Sequence, residues 1–212
     1  METVSVLERR ALSEAVFELQ LSRPSGFAFT AGQWLRLSYR GTTRSYSMVS
    51  GPDEPFLTLC IEHVPGGGLS PALASIDVGT RVGIDGPHGY FTFLESSWRS
   101  FFVATGTGIA PFASMARSGV QGFTLLHGSR EREQFYYASL FRNHPCTYIP
   151  CLSSGEAPEG GFSGRVTHWL EQHLAPGAYA FYLCGHHEMI REATLLVDER
   201  FPGSVVRIES YS

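Results

Sequence analysis

The apolar rhythm of this chain changes once, near Trp98, and that change limits the folds open to it. Before it come short runs rich in β-branched and aromatic residues: TVSVLERRAL, AVFELQLSR, WLRLSYR, RSYSMVS, FLTLCIEHV and RVGIDG. Gly, Pro, Asp or Ser turns separate them, which predicts six strands in an antiparallel barrel or sandwich. One interruption, LSPALASI, follows a glycine cluster and predicts a helical turn or two. After Trp98, the apolar runs FFVATG, FTLLHGSR, CTYIPCLSS, YAFYLCG and VVRIESYS alternate with the amphipathic stretches IAPFASMARS, QFYYASLFRN, RVTHWLEQHL and EMIREATLLVDERF. Five strands joined by four helices predict a five-stranded parallel sheet with helices on both faces.

Two domains follow, residues 1–97 and 98–212, with the boundary between Leu94 and Arg99 once GPHGYFTF has ended the β half. No low-complexity linker separates them, so a ligand cleft is expected between the two. With 43% apolar and only 17% charged residues the chain should fold throughout. A net charge of −4 with scattered Lys and Arg gives no basis for nucleic-acid binding. The longest apolar run, around Phe101 to Ala104, falls far short of the ~20 residues of a membrane span. METVSVLERR has neither a basic start nor an apolar core, so a cytoplasmic enzyme or binding protein is expected. Cys60, Cys146, Cys151 and Cys184 lack CxxC or Cys/His ligand spacing, so no metal or iron–sulfur site is expected.

FFVATGTGIAPF sets Gly106 and Gly108 where an apolar strand hands over to a helix. Lacking side chains, they let main-chain amides approach a pyrophosphate beside a helix N-terminus. The third glycine of GxGxxG is replaced by Pro111, so a plain strand-to-helix turn stays open as a reading. In dinucleotide sites an acidic residue about 20 positions on contacts the ribose 2′-hydroxyl, whereas an Arg accommodates a 2′-phosphate. Ser129 and Arg130 stand there, close to Glu131 and Glu133, which leans toward NADP and leaves NAD open.

Five motifs in order resemble those of the ferredoxin–NADP reductase-like flavoproteins: RSYS, GGGLS, GPHGYF, ATGTGIAP and LCGHHEM. The resemblance implies an antiparallel barrel that binds FAD, followed by a parallel-sheet domain that binds NADP or NAD. It places Arg44 on the FAD pyrophosphate, Tyr46 on the isoalloxazine and Ser47 near its N5. Gly67, Gly68, Leu69 and Ser70 would wrap the pyrophosphate, with Ile61 and Glu62 along the ribityl and adenine side. Thr105, Gly106, Thr107, Gly108 and Pro111 would form the dinucleotide loop. Cys184 would stand beside the nicotinamide, with Gly185 letting the ring approach, Met189 on the opening of the following helix, Glu209 in the hydrogen-bond network and Tyr211 over the flavin. Ser47, Cys184 and Glu209 are then the candidate catalytic residues.

Three positions depart from the family pattern. His186 and His187 stand where relatives often carry Pro, Ser153-Ser154 replaces a Ser-Arg pair, and Ser212 follows the terminal aromatic. Arg165 is the substitute candidate for the missing Arg.

The activity implied is hydride transfer from NAD(P)H to FAD, then single-electron transfer to a separate carrier such as ferredoxin, flavodoxin or another redox acceptor. A free-flavin reductase and a non-catalytic electron-transfer subunit are the alternatives. One tension is local. Strict alternation sends Arg44 and Tyr46 to one face and Ser47 to the other, so a bend or bulge is expected near Tyr46–Ser47 if all three meet one flavin.

Overall fold

The computed structural model describes residues 1–210, in two compact units. The first contains Met1–Phe93 together with Ala110–Gly119. Its strands are β1 (Glu2–Ala11), β2 (Val16–Ser22), β3 (Trp34–Tyr39), β4 (Thr42–Ser47), β5 (Phe56–Glu62) and β6 (Arg81–His88), with helix α1 (Ser70–Ala74) between the last two. They pair in the order β4-β3-β6-β1-β2-β5, every neighbour antiparallel. A bridge between Met48 and Leu59 joins the chain after β4 to β5, so the outer strands of the sheet meet and close the barrel.

Alternation explains the interior. In β3, Leu35 and Leu37 are fully buried while Arg36 between them is exposed. The same period-two logic brings Leu19 and Leu21 of β2, and Leu57, Leu59 and Ile61 of β5, into one core with Leu69 and Leu73 of α1. Helix α2 (Ala110–Arg117) completes this unit. Ser114 Oγ donates to Ser50 O at 2.7 Å, Arg117 Nη1 donates to Val49 O at 3.0 Å, and Phe112 meets Phe91 edge-on at 5.7 Å.

The second unit contains Leu94–Ile109 and Val120 onward. Its strands are β7 (Ser100–Thr105), β8 (Thr124–Ser129), β9 (Thr147–Leu152), β10 (Phe162–Ser163), β11 (Ala180–Gly185) and β12 (Val205–Ser210), and its helices are α3 (Ala138–Arg142), α4 (Val166–His173) and α5 (His187–Arg200). The sheet is parallel, ordered β10-β9-β8-β7-β11-β12. It has six strands where the sequence predicts five. The sixth, β10, is two residues long, beside Cys151 and Leu152, and two residues carry no readable period. Helix α3 is likewise shorter than the stretch 134–143, because Tyr137 takes a left-handed conformation (φ 59°) that stops a helix extending back through it. Central strands β7 and β11 are buried on both faces, which is why they read as unbroken apolar runs. Among the described residues no helix is long and apolar enough to cross a membrane, and all four cysteines are free thiols.

Candidate cofactor-binding sites

In the barrel unit, RSYS occupies β4 and the glycine loop lies beside it. Arg44 is exposed, and its Nη1 donates to Thr43 O at 2.9 Å. A Cβ built on Gly68 would lie 3.4 Å from Arg44 Nη2 and 3.3 Å from Thr42 Cγ2, so the loop main chain passes directly against the guanidinium. The loop is held in shape by its own bonds. Gly66 turns it with φ 75°, the Gly67 amide donates to Val64 O at 2.9 Å, and the Val64 amide donates to Ser70 Oγ at 3.0 Å. Leu69 anchors its far end in the barrel core.

Tyr46 is half-buried against that same core. Burial pushes its phenol up to about 12, with the Arg44 charge opposing the shift. Ser47 is 2% exposed. The β3–β4 register runs without a bulge from Tyr39 opposite Thr42 to Trp34 opposite Ser47, so alternation holds through Ser47. The bend comes one residue later: the Met48 amide donates to Gln33 O at 3.2 Å, and the Val49 amide turns to Thr58 O at 2.8 Å. Ile61 and Glu62 part company, since the Ile61 side chain fills the core and Glu62 is exposed.

In the second unit, the chain leaves β7 outward through β8, β9 and β10 on one side and through β11 and β12 on the other. Ligands of open α/β sheets bind outside the carboxyl ends of the strands at such a switch point. There the loop after β7 touches the end of β11. A Cβ on Gly108 would lie 2.4 Å from Cys184 O, and one on Gly185 (φ 135°) would lie 2.3 Å from Thr105 Oγ1, so neither position accepts a side chain. Thr105 Oγ1 also accepts a hydrogen bond from the His186 amide at 3.0 Å, fixing the turn into α5. Gly106 is exposed with φ 55°, and Thr107 beside it is half-buried.

Cys184 is fully buried and pairs with Ala104 on one side and Glu209 on the other. Met189 points into the second unit's core with Ile190 and Ala193. Pro111 is buried in the first turn of α2, in the first unit. Tyr211 lies outside the described residues.

The carboxyl end of β8 carries the third group. Ser129 Oγ donates to Glu131 O at 2.8 Å and accepts from the Glu131 amide at 3.2 Å, closing a small turn. Arg130 is exposed and makes no ion pair among the described residues. Arg165 immediately precedes α4 and is held by both carboxylate oxygens of Glu192 on α5, at 3.1 and 3.2 Å. Its neighbour Val166 packs on Gly128, with Cγ1 3.0 Å from where a Gly128 Cβ would stand. Arg165 therefore flanks the same strand end as Ser129. The Arg165–Glu192 pair left no sequence signal, because its partners are 27 residues apart, one just before α4 and the other on α5.

Two family models match the chain: an oxidoreductase FAD-binding domain over residues 3–93 and an oxidoreductase NAD-binding domain over residues 102–194. The chain belongs to the ferredoxin–NADP reductase-like family. Its cofactors are accordingly FAD and a nicotinamide dinucleotide. Ferredoxin–NADP reductase B of Sorangium cellulosum is 38% identical over 141 residues, covering 60% of this chain and 58% of that protein. A flavodoxin/ferredoxin–NADP reductase of Shigella flexneri is 28% identical over 85% of this chain and 83% of its own length. The chain spans 58% of the length of several curated relatives that it matches. Among solved structures, a ferredoxin NADP+ reductase from Neisseria gonorrhoeae with bound FAD and NADP superposes with a TM-score of 0.87 at 23% identity, covering 99% of this chain and 98% of that one. That likeness establishes the shared fold.

Proposed function

We propose that this chain is an oxidoreductase that takes a hydride from NAD(P)H onto bound FAD and passes electrons singly to a separate carrier such as ferredoxin or flavodoxin. The observation that carries the reading is the cradle in the barrel unit, where the Arg44 guanidinium and the bare main chain of Gly68 stand side by side. A guanidinium fork and adjacent amides are complementary to phosphate oxygens, so the residues present fit the FAD pyrophosphate. Gly67 and Ser70 serve that cradle by closing its loop, and Leu69 by anchoring it. Tyr46, kept protonated by burial, offers a neutral aromatic face to the flavin ring. The Ser47 hydroxyl, able to donate or accept, is assigned to the ring's N5 edge.

Bound there, FAD supplies a hydride acceptor that can release electrons one at a time. This chain's residues supply position. Thr105, Gly106, Thr107 and Gly108 are assigned to the dinucleotide phosphates, and Gly185 to close approach of the nicotinamide beside Cys184 and Glu209. The side chains of Ile61, Met189 and Pro111 are spent on packing, so their part is to support the binding surfaces. Residues 1–97 are assigned to FAD and 98–212 to NAD(P), with α2 folding onto the first unit. NADP is favoured over NAD on the strength of Arg130.

Purified chain should keep its flavin through gel filtration, and NADPH should then bleach it. A colourless chain that reduces only added flavin would replace this reading with that of a free-flavin reductase.

A further inference from the structure

Three arginines stand near the carboxyl end of β8, where an adenosine 2′-substituent is read, and they are not equivalent. Arg132 donates to Glu156 O at 2.6 Å, Arg165 is held by two oxygens of Glu192, and Arg130 makes no ion pair among the described residues. Glu192 is half-buried on the first turns of α5, and no motif or alternation pattern points to it. Its carboxylate pairs with Arg165, whose chain neighbour Val166 packs on Gly128, the residue before Ser129.

We propose that Glu192 is a specificity-determining residue: by occupying Arg165 it weakens the site's attraction for a 2′-phosphate and so narrows the preference for NADP over NAD. The inference rests on the dinucleotide reading of this unit. A 2′-phosphate must compete with the carboxylate for the same guanidinium, and it also meets the carboxylate's own negative charge. A ribose 2′-hydroxyl meets neither penalty. Glu192 therefore acts on one coenzyme and leaves the other alone.

The test is calorimetric binding of adenosine 2′,5′-diphosphate and adenosine 5′-diphosphate to the full chain. Glu192→Gln should tighten the 2′,5′-compound by about 3- to 5-fold, the scale of one exposed charge contact, and leave the 5′-compound unchanged. The gain should shrink as salt is raised. Adding Arg165→Gln to Glu192→Gln should abolish it. Equal tightening of both nucleotides, no tightening, or a gain that survives loss of Arg165 would each overturn the role given to Glu192 while leaving the dinucleotide site standing. Wild-type chain that binds neither nucleotide would overturn the dinucleotide reading itself, and the proposal with it.

Discussion

His127 should make the parallel-sheet unit acid-sensitive, by an amount its surroundings fix. It lies on β8 inside the sheet, fully buried, with its ring edge-on to Phe135 at 5.2 Å. Nδ1 lies 3.1 Å from the Tyr148 hydroxyl, and Nε2 has no hydrogen-bond partner among the described residues. Burial, with no charge contributing, holds the imidazole down to about 3. An unfolded histidine titrates near 6.5, so between these values the unfolded state binds a proton that the folded state refuses. Stability is therefore complete above about pH 6.5 and falls, as pH is lowered toward 3, by roughly 1.4 kcal/mol per unit.

From pH 7 to pH 5 the loss from this one group is about 2 kcal/mol. Other groups titrate in the same range, so the readout is a difference. Urea unfolding of wild type and His127→Leu, followed by helical circular dichroism at both pH values, should give wild type a pH-dependent loss larger by about 2 kcal/mol. Equal losses in the two proteins would refute the reasoning, because they would show that His127 is either solvated or already charged in the folded state.

Two further substitutions separate the two sites. Arg44→Ala should loosen FAD by about 1.5–3 kcal/mol, roughly ten- to a hundredfold in Kd by flavin fluorescence, with the unfolding midpoint of the flavin-free chain unchanged; unaltered FAD affinity would remove Arg44 from the site. Gly185→Ala forces a Cβ to 2.3 Å from Thr105 Oγ1 and 2.6 Å from Thr105 O at φ 135°, so it should cost about 2–4 kcal/mol of local stability and weaken NAD(P)H binding. Flavin content should stay at the wild-type level, and normal coenzyme binding in that variant would contradict the close contact.

Much of the fold was legible because both halves obey simple periods. Leu35 and Leu37 flank Arg36 as a half-buried strand demands, and FFVAT and AFYLCG read as the doubly covered strands they are. What escaped depended on tertiary context. Nothing local to APFASMAR indicates that Ser114 and Arg117 bond back to Ser50 and Val49, more than 60 residues earlier. Chain order counts this helix with the residues that follow it, and packing places it with those that precede it.

The sites divide along the same line. Arg44 and the glycine loop were singled out by their match to the family's motifs, and the structure sets Gly68 against the Arg44 guanidinium; their phosphate role is the one proposed above. Ile61 and Met189 were implied by the family resemblance, which carries no side-chain direction, and both side chains fill cores. The expected distortion at Tyr46–Ser47 came from strict alternation, which in fact runs unbroken to Ser47 and gives way at Met48, where the chain changes partner from β3 to β5. The role proposed for Ser47 thus depends on the end of the strand rather than on a bulge within it.

The proposed function requires this chain itself to move a hydride from nicotinamide to bound flavin. Anaerobic stopped-flow mixing of the flavin-loaded chain with NADPH, and separately with NADH, measures that step without any acceptor protein. The oxidised flavin absorbance should be lost with saturating dependence on coenzyme concentration, faster or at lower concentration with NADPH. Flavin that stays oxidised with both coenzymes would contradict it.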